Sequence, residues 1–375
     1  MSGRTRVLAV ALAAAATTLA ACGGKERAAK SGGRTVDVKL TEAGCEPARL
    51  ELAAGPVTFD VANSGADEVT EFEILDGSRI VGEVENVASG LRRSFSMTLE
   101  PGRYVTYCPG GTTAERGTLV VTGKPRSAAA ASARVRASVA AYRRYVEQQT
   151  DLLVTRTRRL VAALRRGDVA AAKKSYVAAR VPYESIEPVA ESFGPLDPAI
   201  DAREGDVPAA RWTGFHPIER LLWARNTTQG SDALAARLLA DVVRLRRLAR
   251  GVRLEPAAIA NGSVELLGEV SKSKITGEEE RYSHVDLVDF EANVRGAQAA
   301  FDSVRRLVAG KNEELAERID ARFDAVLRAL EPYRRGSGFV SYLTLTRADT
   351  RRLSRAIDSL AEPLSEVAAI VVTAP

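Results

Sequence analysis

The stretch "KPRSAAAASARVRAS", residues 124–138, divides the chain. Just before it, "GTLVVTG" (117–123) is a β-branched run of the kind that forms a strand. Just after it, "YVEQQTDLLVTRTRRLVAAL" (145–164) repeats its apolar residues at helical spacing. The stretch itself carries no strand pattern, is rich in Ala and leads into helix.

Working back from it, residues 34–124 read as a small antiparallel sandwich. "TVDVKL", "VTFDVAN", "EFEILD", "RRSFSMTLE" and "GRYVTYC" are strand-like, and "AGP", "NSGAD", "LDGS" and "EPG" punctuate them. Working forward, residues 125–375 read as a helical bundle. Runs such as "DALAARLLADVVRLRRLA" and "ARFDAVLRALEPYRR" alternate with the breakers "FGPLDP", "GVRLEP", "KITGEEE" and "RRGSG", which gives seven or eight helices. Charge divides at the same point. Residues 34–124 hold 9 Lys+Arg against 14 Asp+Glu, and residues 125–375 hold 39 against 33. The basic excess lies along helix faces without interleaved aromatics, so nucleic acid is not an expected partner. The acidic sandwich suits a cation better than a polyanion.

The N-terminus "MSGRTRVLAVALAAAATTLAAC" places two arginines before a short apolar run and small residues before Cys22. The run is too short to be read first as a membrane span. Residues 1–22 are expected to be a lipoprotein signal, with Cys22 as the lipid anchor. The polar residues 23–33 are a flexible tether. The expected location is the periplasm or the cell surface, held to a membrane by lipid. Outside the cytoplasm, Cys45 and Cys108 are an even pair for which a disulfide is the default.

Three segments of the bundle carry candidate chemistry. In "GFHPIERLLW" (214–223), His216, one of only two histidines, sits three residues before Glu219 and between the only two tryptophans. Positions i and i+3 share a helix face and can grip one ion. Alternatively, Pro217 opens the helix, with His216 as its cap and Glu219 in the first turn. In "EEERYSHVDLVDFEANVRGAQ" (278–298), Ser283 is a candidate cap, and Leu287, Phe290, Val294 and Phe301 form a core stripe. Asp286, Asp289 and Asn293 border that stripe, where acids are costly unless paired or ligating. In "YVAARVPYESIEPVAESFG" (176–194), Glu184 and Glu187 are the natural candidates to face the bundle interior, the alternative being exposed glutamates in surface pairs. Carboxylates on facing helices with one imidazole make an oxygen-rich site suited to iron or manganese, with zinc as a substitute. The sequence has no HExxH pair, GxSxG elbow or phosphate-binding Gly-rich loop.

Four blocks, "GFHPIERLLW", "LEPAAIANGSVELLGEV", "KITGEEERYSHVDLVDFEANVRGAQAAF" and "GFVSYLTLT", closely resemble the iron-uptake lipoprotein family called EfeO. The resemblance covers about residues 34–372. It implies a cupredoxin-like Greek-key β-sandwich followed by an all-α imelysin domain with an HxxE motif. It also implies extracytoplasmic capture of Fe²⁺ or Fe³⁺ and delivery to a membrane iron permease, with a haem peroxidase-like partner. By that resemblance His216 and Glu219 match the HxxE pair as metal ligands. Glu184 and Asp289 are the expected completing carboxylates, with Glu187 and Asp286 beside them.

The sandwich departs from a copper carrier. Type-1 copper needs two His and a Cys, and residues 34–123 contain no histidine. Cys45 and Cys108, with Glu71 or Glu73, form either a second metal site, as the resemblance implies for the N-terminal domain, or a plain disulfide beside surface glutamates; the expected ion is iron, with zinc or copper as substitutes. The alternative function, taken from the domain's label, is a metal-dependent peptidase of the imelysin type with Glu187 as its base. The chain is otherwise read as non-enzymatic.

Overall fold

The computed structural model describes residues 34–124, 132–252 and 254–374. The expected signal 1–22 with Cys22, and the tether 23–33, lie outside the described residues.

Nine strands form two facing sheets. One orders β2 (Gly44–Glu46), β1 (Arg34–Thr41), β4 (Gly55–Asn63) and β7 (Arg92–Leu99). The other orders β3 (Arg49–Ala53), β9 (Arg116–Thr122), β8 (Gly102–Tyr107), β5 (Phe72–Asp76) and β6 (Arg79–Val84). Val36, Val38 and Leu40 alternate inward from β1, and Val57, Phe59 and Val61 from β4. This is the period-2 pattern of strands with one buried face. The rings of Phe59, Phe72 and Phe95 meet at 5.2–6.1 Å in the centre. The sandwich is not wholly antiparallel as expected: β1 pairs β4, and β3 pairs β9, in parallel. In each case the partner strands are separated in sequence by a crossover, and pairing direction leaves no mark on residue alternation. Cys45 on β2 is disulfide-bonded to Cys108 just after β8 across 63 residues. In the chain-entropy account that loop contributes about 4 kcal/mol.

The helical part contains, among the described residues, ten α-helices: α1 (Ala133–Arg165), α2 (Val169–Glu184), α3 (Leu196–Asp201), α4 (Phe215–Trp223), α5 (Asp232–Ala249), α6 (Pro256–Lys272), α7 (Asp286–Ala309), α8 (Glu313–Leu330), α9 (Arg347–Leu364) and α10 (Val367–Val371). The two beyond the expected seven or eight are the short α3 and α10, below the length at which periodicity is legible. Breaker clusters separate them, and short 3-10 turns such as Glu187–Phe193 and Lys274–Thr276 bridge several joints. The apolar faces gather in two clusters. Tyr142, Leu153, Tyr176, Phe215 and Leu238 belong to one, carried by α1, α2, α4 and α5. Leu267, Phe290, Phe301, Phe323 and Ile357 belong to the other, carried by α6 to α9. No helix among the described residues is long and apolar enough to cross a membrane.

Two glycines allow the close approaches that build the site. Gly214 takes φ 92° just before α4, where an added Cβ would stand 2.0 Å from the Ile200 carbonyl oxygen of α3. At Gly296 an added Cβ would stand 2.4 Å from the Ser185 carbonyl oxygen, so α7 lies hard against the end of α2. The sandwich docks on α6. Asn261 Nδ2 donates to Ser96 O at 2.8 Å, Lys272 Nζ to Asn86 O at 2.9 Å, and the Glu85 amide to Glu265 Oε2 at 3.2 Å.

Candidate metal centre

α4 begins at Phe215, so His216 lies inside its first turn and is not its cap. Aromatics before and at the two ends of the helix hold it. Trp212 Nε1 donates to Ala202 O at 2.8 Å and lies under the Arg220 guanidinium, while Phe215 and Trp223 pack edge-on against Tyr176. That packing turns His216 and Glu219 inward, to 2% and 0% exposure.

Glu219 is fully engaged. Its Oε1 accepts the amides of Tyr282 and Ser283 at 2.8 and 2.7 Å, and its Oε2 lies 3.2 Å from His216 Nδ1. Burial pushes the carboxyl up, but the hydrogen bond and charge of His216 and the two amides outweigh it and hold the group below its ordinary value. An ionised carboxylate only accepts, so Nδ1 carries a proton; in the neutral ring, the form able to ligate, Nε2 then presents its lone pair. Nε2 is buried without a hydrogen-bond partner. It faces Asp201 Oδ1 at 3.5 Å and Glu279 Oε1 at 3.9 Å. In that form three electron-pair donors face one another, with both carboxylate oxygens also accepting from Arg180, and a cation at Nε2 would complete the arrangement. His216, Glu219 and Glu280 form a second group of donors.

Around this point the interior is strongly acidic. Glu184, Glu187, Asp201, Glu219, Glu279, Glu280, Asp286 and Asp289 are each at most 15% exposed, against two buried fixed cations, Arg180 and Lys274. Arg180 is wholly buried. It contacts Glu184 and Asp201 closely, Glu280 Oε1 at 2.9 Å, Glu279 Oε1 at 3.1 Å and Asp289 Oδ2 at 3.2 Å. Lys274 Nζ lies 3.4 Å from Glu184 Oε2 and closely contacts Glu187. Even with the part-buried Arg203, whose Nη1 lies 3.3 Å from Glu279 Oε2, the cations do not balance this many carboxylates. Burial pushes Glu280 and Glu187 well up, each reinforced by a neighbouring carboxylate, and it pushes Asp289 up to about 7. Glu184, by contrast, is pulled down to about 2, because Arg180 and Lys274 together overcome its burial. Glu279 is also held below its ordinary value, with Lys274, Arg180 and His216 opposing its burial.

The comparisons with known proteins agree along the chain. The imelysin family model matches residues 138–367 and the cupredoxin-like domain model residues 8–121. The iron uptake system component EfeO of Escherichia coli strain K12 is 39% identical over 343 residues, covering 90% of this chain and 91% of that protein. The protein of the same name from Shigella flexneri gives the same figures. The chain belongs to the EfeO family. Among solved structures, auracyanin A, a blue copper protein from Chloroflexus aurantiacus, is matched over its whole length and 24% of this chain, at 21% identity and a TM-score of 0.22. By the two family models and the elements described above, the architecture is a cupredoxin-like sandwich followed by an imelysin-type helical domain.

In this EfeO-family chain all six bundle residues singled out from sequence reach one buried polar region, on two sides of Arg180. His216 and Glu219 form one side. Glu184 and Glu187 lie with Lys274 and Asn293 on the other, and Asp289 pairs with Arg180. Asp286 Oδ1 accepts the Glu280 amide at 3.1 Å. Ser283 does not cap α7, which starts at Asp286; its hydroxyl donates to Glu280 and its amide to Glu219. Asp286, Asp289 and Asn293 are buried outright and not at a core border. His284 takes φ 56° and belongs to neither donor group. Asp201, Glu279 and Glu280 were missed from sequence. Glu279 and Glu280 stand in "KITGEEE", read as a breaker, and Asp201 ends a six-residue helix.

In the sandwich the Cys45 and Cys108 sulfurs are bonded to each other and offer no thiolate. Glu73 lies opposite Tyr107 in register, next in sequence to Cys108. Burial, with repulsion from Glu71, pushes Glu73 up to about 7; Glu71 is raised by burial as well.

Proposed function

We propose that the helical domain binds an iron ion, Fe²⁺ or Fe³⁺, between His216 Nε2, Asp201 and Glu279. Glu219 sits on the opposite ring nitrogen and fixes the tautomer. The observation that carries this reading is the buried, unpartnered Nε2 facing two carboxylates. Mixed nitrogen and carboxylate donors suit a hard or borderline divalent ion, so zinc and manganese are expected to substitute. A hydrogen bond on the far nitrogen is the usual support of a ligating imidazole. The acids provide the neutralising charge, and Arg180 keeps Asp201 and Glu279 gathered when the ion is absent. The relatives are named as components of an iron uptake system. In this reading the protein is a lipid-anchored, extracytoplasmic carrier that receives iron and passes it to a membrane iron permease, in a system with a haem peroxidase-like partner.

The test is calorimetric titration of Fe²⁺ or Zn²⁺ into the protein and three variants. His216→Ala, Asp201→Asn and Glu279→Gln are each expected to weaken binding at least 100-fold. Glu219→Gln, which keeps an acceptor for Nδ1–H, is expected to lose about tenfold. Equal affinity in His216→Ala and the parent contradicts the reading. The peptidase alternative has less support, since Glu187 is already occupied by Lys274 and Asn293. Denatured protein incubated with the metal-loaded chain, with and without chelator, is expected to remain uncut.

A further inference from the structure

We propose that residues 202–213, between α3 and α4, form a strap across the mouth of the His216 site, latched by Glu204, and that an ion enters and leaves when this latch opens. The inference rests on the reading of His216 as part of a metal site and adds to it the route of the ion and its control.

The side chains of His216, Asp201 and Glu279 are 2%, 12% and 5% exposed, so an ion reaches them only when a covering segment moves. The strap begins at the residue after Asp201 and ends at the residue before Gly214, which precedes α4. Gly205, Asp206 and residues 208–211 face solvent. Among the described residues, none from 203 to 213 belongs to an apolar cluster of the domain. Val207, Ala210 and Arg211 instead line a hollow of about 380 Å³, with Pro198 and Ala199 of α3 and Arg237 of α5. Protein interiors are otherwise close-packed. A segment that borders a void and buries little apolar surface is among the first to open.

What holds the strap is polar. The Glu204 carboxylate takes one donor from each of the two segments that carry the site. One is Arg220, next to Glu219 on α4; the other is the Tyr282 hydroxyl, in the residue whose amide serves Glu219. Arg281 Nη1 donates to the Glu204 carbonyl at 3.1 Å. Arg203 reaches inward, its Nη1 donating at 3.3 Å to Glu279 Oε2, on the carboxylate whose Oε1 faces His216. At the far end Trp212 ties back to Ala202, beneath the same Arg220 that meets Glu204. The side chains of Glu204 and Arg220 are 41% and 34% exposed. Ion pairs this open to water are weak. One exposed carboxylate thus joins both walls of the site, and its release frees the strap without removing a metal donor.

The experiment compares the full chain with Glu204→Ala and Glu204→Gln. Stopped flow gives the Zn²⁺ association rate, transfer to excess chelator gives the release rate, and chelator competition gives the affinity. Glu204→Ala is expected to raise both rates about tenfold, with the affinity within about threefold of the parent, as for a gate that moves and a site that does not change. Glu204→Gln still accepts from Tyr282 but loses the charge that holds Arg220, and its rates are expected to fall between. Hydrogen exchange read by mass spectrometry is expected to quicken in residues 203–213 of Glu204→Ala and to stay unchanged in α4. If α4 loses protection in Glu204→Ala, the rates of Glu204→Gln decide. Unchanged rates in the folded variants overturn the proposal, and so does a rise in rates without faster exchange in the strap. An affinity loss above about tenfold at an unchanged association rate also overturns it, because Glu204 then supports the site and does not gate it. A parent that binds no ion removes the His216 reading and the gate together; a parent that binds, with rates unmoved by either substitution, removes the gate alone.

Discussion

The two domains bury their interiors in opposite ways. The sandwich closes over three phenylalanines and a disulfide and needs nothing from outside. The helical domain, besides its two apolar clusters, closes over eight carboxylates, two buried fixed cations and an imidazole with an unpartnered nitrogen. Apolar burial supplies its own free energy, whereas buried like charge must be neutralised by protons, by fixed cations or by a bound ion. The difference teaches that the sandwich has no buried charge to neutralise, whereas the proposed ion capture draws on the acidic interior of the helical domain, so a perturbation of the sandwich should leave the metal readout unmoved. Both tryptophans are in the helical domain, Trp212 just before α4 and Trp223 at its end, so tryptophan fluorescence reports on that domain alone.

The largest expected separation comes from the disulfide. Cys45→Ser with Cys108→Ser should cost the sandwich about 4 kcal/mol while leaving the metal affinity of the helical domain within twofold. Calorimetric unfolding together with titration checks both halves, and a parallel loss of metal affinity breaks the comparison. Next is the ion itself. Zn²⁺ at 100 times its dissociation constant should stabilise the helical domain by about 2.7 kcal/mol. That raises the tryptophan-detected midpoint by roughly 5–10 °C, with no shift in the sandwich transition. Gly214→Ala introduces a Cβ where the chain has φ 92° and the Ile200 carbonyl is in contact. It should cost about 1–3 kcal/mol and weaken metal binding about tenfold, because it moves α4 away from Asp201. Unchanged affinity would show that the α3–α4 approach does not set the site.

The joint between the domains gives the smallest effect. Glu85 is pushed up to about 8 by burial and by repulsion from Glu269 and Glu71, and burial pushes Glu265 up to about 7. Folded-state values above the unfolded ones mean that the native protein binds more protons between roughly pH 5 and 8. These groups therefore favour folding at the acid end, and that contribution is lost as pH rises through 7–8. Glu85→Gln should flatten the decline in melting temperature between pH 5 and 8 by about 2–4 °C, on the order of 1 kcal/mol. An unaltered pH profile would remove the joint from the account.

Legibility in the sequence follows the same physical division. The sandwich was readable because its strands have one wet face, as in the alternating burial of Val36, Val38 and Leu40. The parallel pairings were not, because strand direction is decided by which edges the crossovers reach. His216 and Glu219 were readable because a scarce imidazole one turn from a carboxylate is conspicuous. Asp201, Glu279 and Glu280 were not, because acids at helix ends and in turns are ordinary on protein surfaces, and only the tertiary fold buries these. Arg180 is one of 53 basic residues, and nothing local distinguishes it from those on solvent-facing stripes. Ser283 was read as a cap because caps are the usual work of such a residue. Here its amide and hydroxyl serve Glu219 and Glu280.

The most direct test is anomalous scattering from crystals of the full chain loaded with Mn²⁺. The account predicts a peak about 2.0–2.3 Å from His216 Nε2 and from one oxygen each of Asp201 and Glu279. An ion held elsewhere, with His216 Nε2 bare, would contradict it.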